Sequence, residues 1–106
     1  MSIGIDLTYI PRFKDKEDLA RKILSEEELE NYYNSISKET FLASRFALKE
    51  ALIKFLELNI LTVDLKDINI KKKENGAVYV IYKGKRYSAS LSHEKDYCVG
   101  VVTNDW

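Results

Sequence analysis

The stretch from Ser37 to Glu57 contains neither Gly nor Pro and is rich in Leu, Ala, Lys, Glu and Phe. Most of these are good helix formers, so the spacing predicts one helix of several turns. At about 100° per residue, Phe41, Leu42, Phe46, Leu48, Leu52, Ile53, Phe55 and Leu56 form a very broad apolar arc. Arg45 and Lys49 fall inside that arc, one turn apart. Glu50 and Lys54 fall on the opposite stripe, beside Ala43 and Ala47. An unpaired charge within an apolar surface is costly. Arg45 and Lys49 therefore snorkel to solvent, meet acidic side chains, or wait for an anion. The small neighbours of Glu50 would let a backbone or a ligand come close. The plainer alternative for Glu50 and Lys54 is a surface i, i+4 ion pair worth about a few tenths of a kcal/mol.

The chain has 106 residues, which suits one domain with one core. It is 45% hydrophobic and 32% charged, a balance of neither a disordered nor a membrane protein. Seventeen basic and seventeen acidic residues cancel, so net charge gives no reason to expect a nucleic-acid partner. No run is long enough to cross a bilayer. The N-terminus reads straight into a strand without the pattern of a signal peptide, which makes the cytoplasm the expected location. The lone cysteine, Cys98, excludes an internal disulfide and lies in an apolar stretch, where a buried small hydrophobe is the expected role.

Around the long helix the periodicity is mostly that of strands. Residues 2–9 alternate, with Ile3, Ile5 and Leu7 on one side and Ser2, Gly4, Asp6 and Thr8 on the other. Asp is disfavoured within strands, so Asp6 is an anomaly: an acid on a solvated face, a strand-end residue, or something functional. Pro11 ends this strand. A short helix is expected over residues 12–23, with Phe13, Leu19, Ala20 and Ile23 as its apolar face. Ser25 and Glu28 match a capping box for a second helix running to about Tyr33, and Ser37 is the expected cap of the long helix. Residues 58–65 read as an irregular connection. Strands are then expected over 67–72, 78–82, 86–93 and 97–102. They are separated by turn signals at Asn75-Gly76, Lys83-Gly84-Lys85 and Glu94-Lys95-Asp96. The pattern is an α+β fold: an N-terminal strand, helices with one long central helix, then a C-terminal antiparallel β-meander.

Chemistry-bearing residues are few. His93 is the one histidine, and its neighbour Ser92 points to the other face of a strand, so the two do not form a nucleophile–base pair. There is no phosphate-binding glycine loop and no Cys/His zinc spacing. What is left is two carboxylates, Asp6 and Glu50, and a cationic set, Arg45, Lys49 and Lys54. If the first strand packs beside the long helix, the carboxylates meet. Two carboxylates completed by water and substrate phosphate are a common way to hold Mg²⁺, so metal-assisted phosphate chemistry is permitted.

Three blocks make the chain resemble the small bacterial holo-acyl-carrier-protein synthases, a group of 4′-phosphopantetheinyl transferases. The first is Gly4-Ile5-Asp6-Leu7 with Ile10 and Arg12. The second is the run from Arg45 to Ala51 with Lys54 one turn later. The third is Ser90-Leu91-Ser92-His93. Leu24-Ser25-Glu26-Glu27-Glu28-Leu29 also matches the family's helix opening. The resemblance spans nearly the whole chain and implies a single transferase domain over residues 1–106. It implies Mg²⁺-dependent transfer of phosphopantetheine from coenzyme A to a serine of an acyl carrier protein in lipid metabolism, with release of adenosine 3′,5′-bisphosphate. By motif, Asp6 and Glu50 would bind Mg²⁺, and Asp6, Glu50 and Lys54 would be catalytic. Arg45, Lys54 and His93 would contact coenzyme A phosphates, with Ser92 near them and Lys49 a weaker contact or a structural pair. Arg12 and Lys14 would dock the carrier. The resemblance also implies a homotrimer with sites between subunits. One departure is that the family's Gly-Thr-Gly after the long helix is absent; the chain reads Leu58-Asn59-Ile60-Leu61-Thr62 there. A non-catalytic trimeric homologue that binds carrier protein or nucleotide is the alternative.

Overall fold

A computed structural model describes residues 2–105. Strand β1 (Gly4–Tyr9) leads into a 3₁₀ segment, Ile10–Phe13. Helices α1 (Glu17–Ile23), α2 (Glu26–Tyr33) and α3 (Lys38–Leu56) follow. Strands β2 (Asn69–Lys72), β3 (Val78–Tyr82), β4 (Lys85–Glu94) and β5 (Tyr97–Asn104) complete a five-stranded sheet in the order β1-β5-β4-β3-β2, with every neighbouring pair antiparallel. This is the α+β architecture the periodicity predicts. No described helix is long and apolar enough to cross a membrane.

The caps form as their sequences require. The Ser25 side chain accepts from the Glu28 backbone, and the Glu28 carboxylate accepts from the Ser25 backbone. Ser37 caps α3 by accepting from the Thr40 backbone. The helix expected from Arg12 is interrupted. Pro11 seeds a 3₁₀ turn, Lys14 is extended, and Asp15 takes a left-handed φ of 56°, so regular helix starts only at Glu17. Of the turns, Lys83 and Gly84 both adopt positive φ (49° and 77°), as a two-residue hairpin needs. At Asn75-Gly76 only the glycine does, with φ of 90°.

Helix α3 is the common wall of two apolar clusters. Leu48, Ala51, Leu52 and Phe55 pack on Val80, Tyr87 and Val102; Leu42, Ala43 and Ala47 pack on Phe13, Ile23, Tyr32 and Cys98. The stripe carrying Ala43, Ala47 and Ala51 is fully buried, although the apolar arc drawn from the sequence leaves it on the polar side. The small side chains face the sheet, and there is little room between them. A Cβ on Gly4 would stand 1.9 Å from the Ala51 carbonyl oxygen, and one on Gly100 would stand 3.1 Å from the Leu48 backbone nitrogen.

This contact decides which face of β1 is inward. Gly4 and Thr8 are buried against the helix and Asp6 lies between them, while Ile3, Ile5 and Leu7 are more than half exposed on the other face. Across the register Ile5 stands opposite Val101, Leu7 opposite Val99 and Tyr9 opposite Tyr97, giving a continuous apolar patch on the uncovered side of the sheet. The Tyr9 and Tyr97 rings lie 5.3 Å apart.

Gly4→Ala is expected to destabilise the protein by about 1–3 kcal/mol or more, since the added carbon meets backbone rather than a movable side chain. Urea denaturation reads this directly. An unchanged midpoint would mean that β1 does not need so close an approach to α3.

Candidate functional site

Because β1 lies so close to α3, a short side chain on the inner face of the strand reaches the helix. Lys54 donates to the Asp6 carboxylate at 3.1 Å and to the Ile5 carbonyl at 3.0 Å. Thr8, itself buried, donates from its hydroxyl to the other Asp6 oxygen at 2.9 Å. Asp6 thus gains two local donors that explain an acid inside a strand. Lys54 turns to Asp6 and makes no ion pair with Glu50 among the described residues, so the i, i+4 alternative does not hold.

Glu50 sits one turn before Lys54, partly buried. Burial raises its carboxyl above the ordinary value, the Asp6 charge raises it further, and Lys54 offsets part of the effect. Asp6 and Glu50 are thus close enough to repel, with Lys54 bonded to Asp6 and acting on Glu50 through its charge alone. Negative charge gathered in this way suits a divalent cation. Among the described residues no group of three or more His, Cys, Asp or Glu side chains could hold a metal, so an all-protein cage is not what the site offers. Two carboxylates with open positions for water and phosphate oxygens fit Mg²⁺, which keeps part of its hydration shell.

The two cations of the apolar arc have different fates. Lys49 is completely buried and donates to Glu28 at 2.7 Å, to the Ile23 carbonyl at 2.7 Å and to the Leu65 carbonyl at 2.9 Å. Three acceptors for one nitrogen require the ammonium form. Burial lowers the Lys49 pKa and Glu28 opposes this. The second Glu28 oxygen accepts from the Ile70 backbone at 2.7 Å, so one carboxylate ties α2, α3 and β2 together. Lys49 is therefore a structural pair. The sequence identifies Glu28 as a cap, but nothing in its spacing tells that it is buried beneath α3.

Arg45 is 8% exposed. Its guanidinium lies over the Phe41 ring at 4.2 Å and donates to the Ser44 hydroxyl at 3.1 Å. Its buried Nε has no partner among the described residues, a deficit of about 1–3 kcal/mol until an acceptor arrives. Burial lowers the Arg45 pKa, but arginine holds its charge under all ordinary conditions. Arg45 and His93 line one groove of about 340 Å³ beside β4. Neither Asp6, Glu50 nor Lys54 lines it. Ser92 stands opposite Val99 on the uncovered face of the sheet, while His93 stands opposite Cys98 on the α3 side, so the structure does not bring Ser92 to that groove. Cys98 is buried and its thiol is pushed up to about 11 by burial and then by Asp6, which makes it an inert hydrophobe. Arg12 and Lys14 are exposed, with Arg12 over the Phe13 ring at 5.2 Å.

The carboxylate pair gives a checkable sign. A carboxyl raised in the folded state adds stability that is complete below the unfolded pKa and is lost as pH rises through the folded one. Asp6→Asn should lower the Glu50 pKa toward its ordinary value and flatten that part of the pH–stability curve. Carbon-13 NMR titration of the glutamate carboxyls reads the change; an unmoved Glu50 would mean that the two acids do not share a site.

The chain matches the sequence model of the 4′-phosphopantetheinyl transferase superfamily over residues 2–102. It is 42% identical over 101 residues to the holo-[acyl-carrier-protein] synthase of Mycoplasmopsis pulmonis, covering 94% of this chain and 86% of that one. The crystal structure of the Neisseria meningitidis holo-[acyl-carrier-protein] synthase superposes with a TM-score of 0.84 at 28% identity, covering 94% of each chain. That of the Helicobacter pylori synthase in complex with coenzyme A gives 0.83 at 29% identity, covering 95% of this chain and 97% of that one. With the fold, the sequence model and the relatives in agreement, the chain belongs to the 4′-phosphopantetheinyl transferase superfamily, as a transferase of its holo-[acyl-carrier-protein] synthase group.

Proposed function

We propose that this protein moves the 4′-phosphopantetheine group of coenzyme A onto a serine of an apo acyl carrier protein and releases adenosine 3′,5′-bisphosphate. The observation that carries the reading is the meeting of Asp6, Glu50 and Lys54 across the β1–α3 contact. The coenzyme A complex of the Helicobacter pylori relative supports the donor. Residues 1–106 act as a single transferase domain, and the cytoplasm is its place of work.

The reaction is a displacement at phosphorus. The serine oxygen forms a bond to the phosphate nearest pantetheine as the bridging P–O bond to the nucleotide breaks. Mg²⁺, held by Asp6 and Glu50, would neutralise charge on the diphosphate. Lys54 adds fixed positive charge beside the same oxygens and holds Asp6 in place. Glu50 accepts the serine proton, most readily through a water, because a carboxylate that also holds a metal ion is a weak base. Arg45 and His93 take donor phosphate at their own groove. Ser92, on the other face, is a weaker candidate for this than the motif implies.

A trimer is part of the proposal. The uncovered patch of Ile5, Leu7, Tyr9, Val99 and Val101 needs a partner. The carboxylate pair and the Arg45 groove also lie apart within one chain, as half-sites completed by a neighbouring subunit would. Arg12 and Lys14, exposed at the turn after β1, dock an acidic helix of the carrier.

Incubation with Mg²⁺, coenzyme A and apo carrier protein should raise the carrier mass by one phosphopantetheine. Binding without that gain would select the non-catalytic alternative. Glu50→Gln should lose at least about a hundredfold in kcat, the scale of general acid–base catalysis, with the fold intact by circular dichroism. Raised salt should increase KM for the carrier more than KM for coenzyme A, and equal sensitivity would remove Arg12 and Lys14 from the docking surface.

A further inference from the structure

Thr8 is 1% exposed, on the inner face of β1 and directly opposite buried Cys98. A hydroxyl in such a place costs free energy unless it is bonded, and valine has the same branched shape without that cost. The two buried aliphatic hydroxyls among the described residues donate differently. Ser44 donates to a carbonyl of its own helix, that of Phe41, at 2.8 Å. Thr8 donates to a side chain, the Asp6 carboxylate, at 2.9 Å. Residues two apart on a strand share a face, so this bond runs along the inner surface of β1.

Asp6 has two side-chain donors, one on each oxygen, and they are not equivalent. The Lys54 side chain is 55% exposed and divides its bonds between Asp6 and the Ile5 carbonyl. Ordering so long a chain costs entropy, and water competes for its head group. Thr8 is buried and branched at Cβ, which leaves it little rotamer freedom. The stiff donor is therefore the hydroxyl. Directly across the register from Asp6 stands Gly100, which has no side chain to brace the carboxylate. The two bonds use about half of the lone pairs of a carboxylate and leave the rest for a metal.

We propose that Thr8 is a positioning residue: its hydroxyl holds the Asp6 carboxylate in the orientation in which that group and Glu50 grip a divalent cation. The inference rests on the reading of Asp6 and Glu50 as the Mg²⁺ pair. Partners that orient a metal ligand in this way govern affinity, and their loss weakens binding by about 10- to 100-fold. Without the hydroxyl both carboxylates remain and the site persists. What is lost is the preset direction of one of them, a deficit in affinity that a higher metal concentration offsets.

Titration of Mn²⁺ into the protein with coenzyme A present tests this without turnover. Electron paramagnetic resonance of the free ion gives the Mn²⁺ bound above that held by coenzyme A alone. Thr8→Val, which keeps the branched shape and removes the hydroxyl, should weaken Mn²⁺ binding by about 10- to 100-fold with the fold intact by circular dichroism. Thr8→Ser, which keeps the hydroxyl and drops the methyl, should stay within about threefold of the wild-type affinity. The Mg²⁺ concentration giving half the maximal rate should rise in the same ratio in Thr8→Val, and saturating Mg²⁺ should recover most of the lost rate. Wild-type affinity in Thr8→Val, or a Thr8→Ser protein as weak as Thr8→Val, overturns the proposal. A measurement on the wild-type protein decides the matter should the valine variant not fold. The Thr8 hydroxyl proton should exchange slowly enough to appear in the NMR spectrum, and should shift when Mg²⁺ is added to the coenzyme A-bound protein. A proton lost to solvent exchange, or one that ignores the metal, overturns the proposal. A wild-type protein that binds no Mn²⁺ overturns the metal reading itself, a different result from a metal site indifferent to Thr8.

Discussion

The contact between the backbone of α3 and the inner face of β1 and β5 is the constraint on which the site depends. Gly4 and Gly100 leave out the atoms that would hold the layers apart, and Ala47 and Ala51 do the same from the helix. An aspartate has a short reach. Asp6 meets Lys54 and senses Glu50 because the strand is pressed against the helix at Gly4, two residues earlier. A side chain added at that point would separate the acids before it touched either of them.

The buried ion pair fixes the same helix from its other side. Lys49 follows Arg45 by one turn and precedes Glu50 by one residue, so its position sets the rotation of both. Its three acceptors come from the end of α1, from α2 and from the segment before β2. Pairs of this kind cost much to desolvate and add little net stability. What they supply here is orientation, since the three acceptors of the ammonium all stand on one side of α3. The contrast with Arg45 is instructive: two cations in one apolar surface, one with a full set of acceptors and one with a buried nitrogen left open.

Much of this was legible in the chain. The long helix, its Ser37 cap, the Ser25–Glu28 box and the meander turns follow from local preferences, which tertiary packing here reinforces. The anomalies were legible too: an Asp in a strand and cations in an apolar arc each mark a residue with a specific partner. The partners themselves were not. Which side of β1 is inward depends on the space at Gly4, and alternation alone reads the same in both directions. The burial of Ala43, Ala47 and Ala51 follows from facing a sheet at short range, whereas a wheel built on side-chain polarity places small residues with the polar ones. The interruption at Asp15 rests on a left-handed residue that no glycine announces.

The glycines bear on more than the site. Of the four in the chain, Gly4 and Gly100 have ordinary backbone angles and serve by being small, and only Gly76 and Gly84 sit in left-handed turns. Asp15, Glu57, Lys83 and Lys95 hold such angles with full side chains. Glu57 is the clearest of them: it ends α3 in the position where glycine is usual, with the next amide, of Leu58, closing back on the Ile53 carbonyl at 3.0 Å. Each such residue carries strain of about 1 kcal/mol or more. The molecule is thus less stable than its fold permits, and the slack lies in its connections, where it can be removed without touching Asp6, Glu50, Lys54, Arg45 or His93.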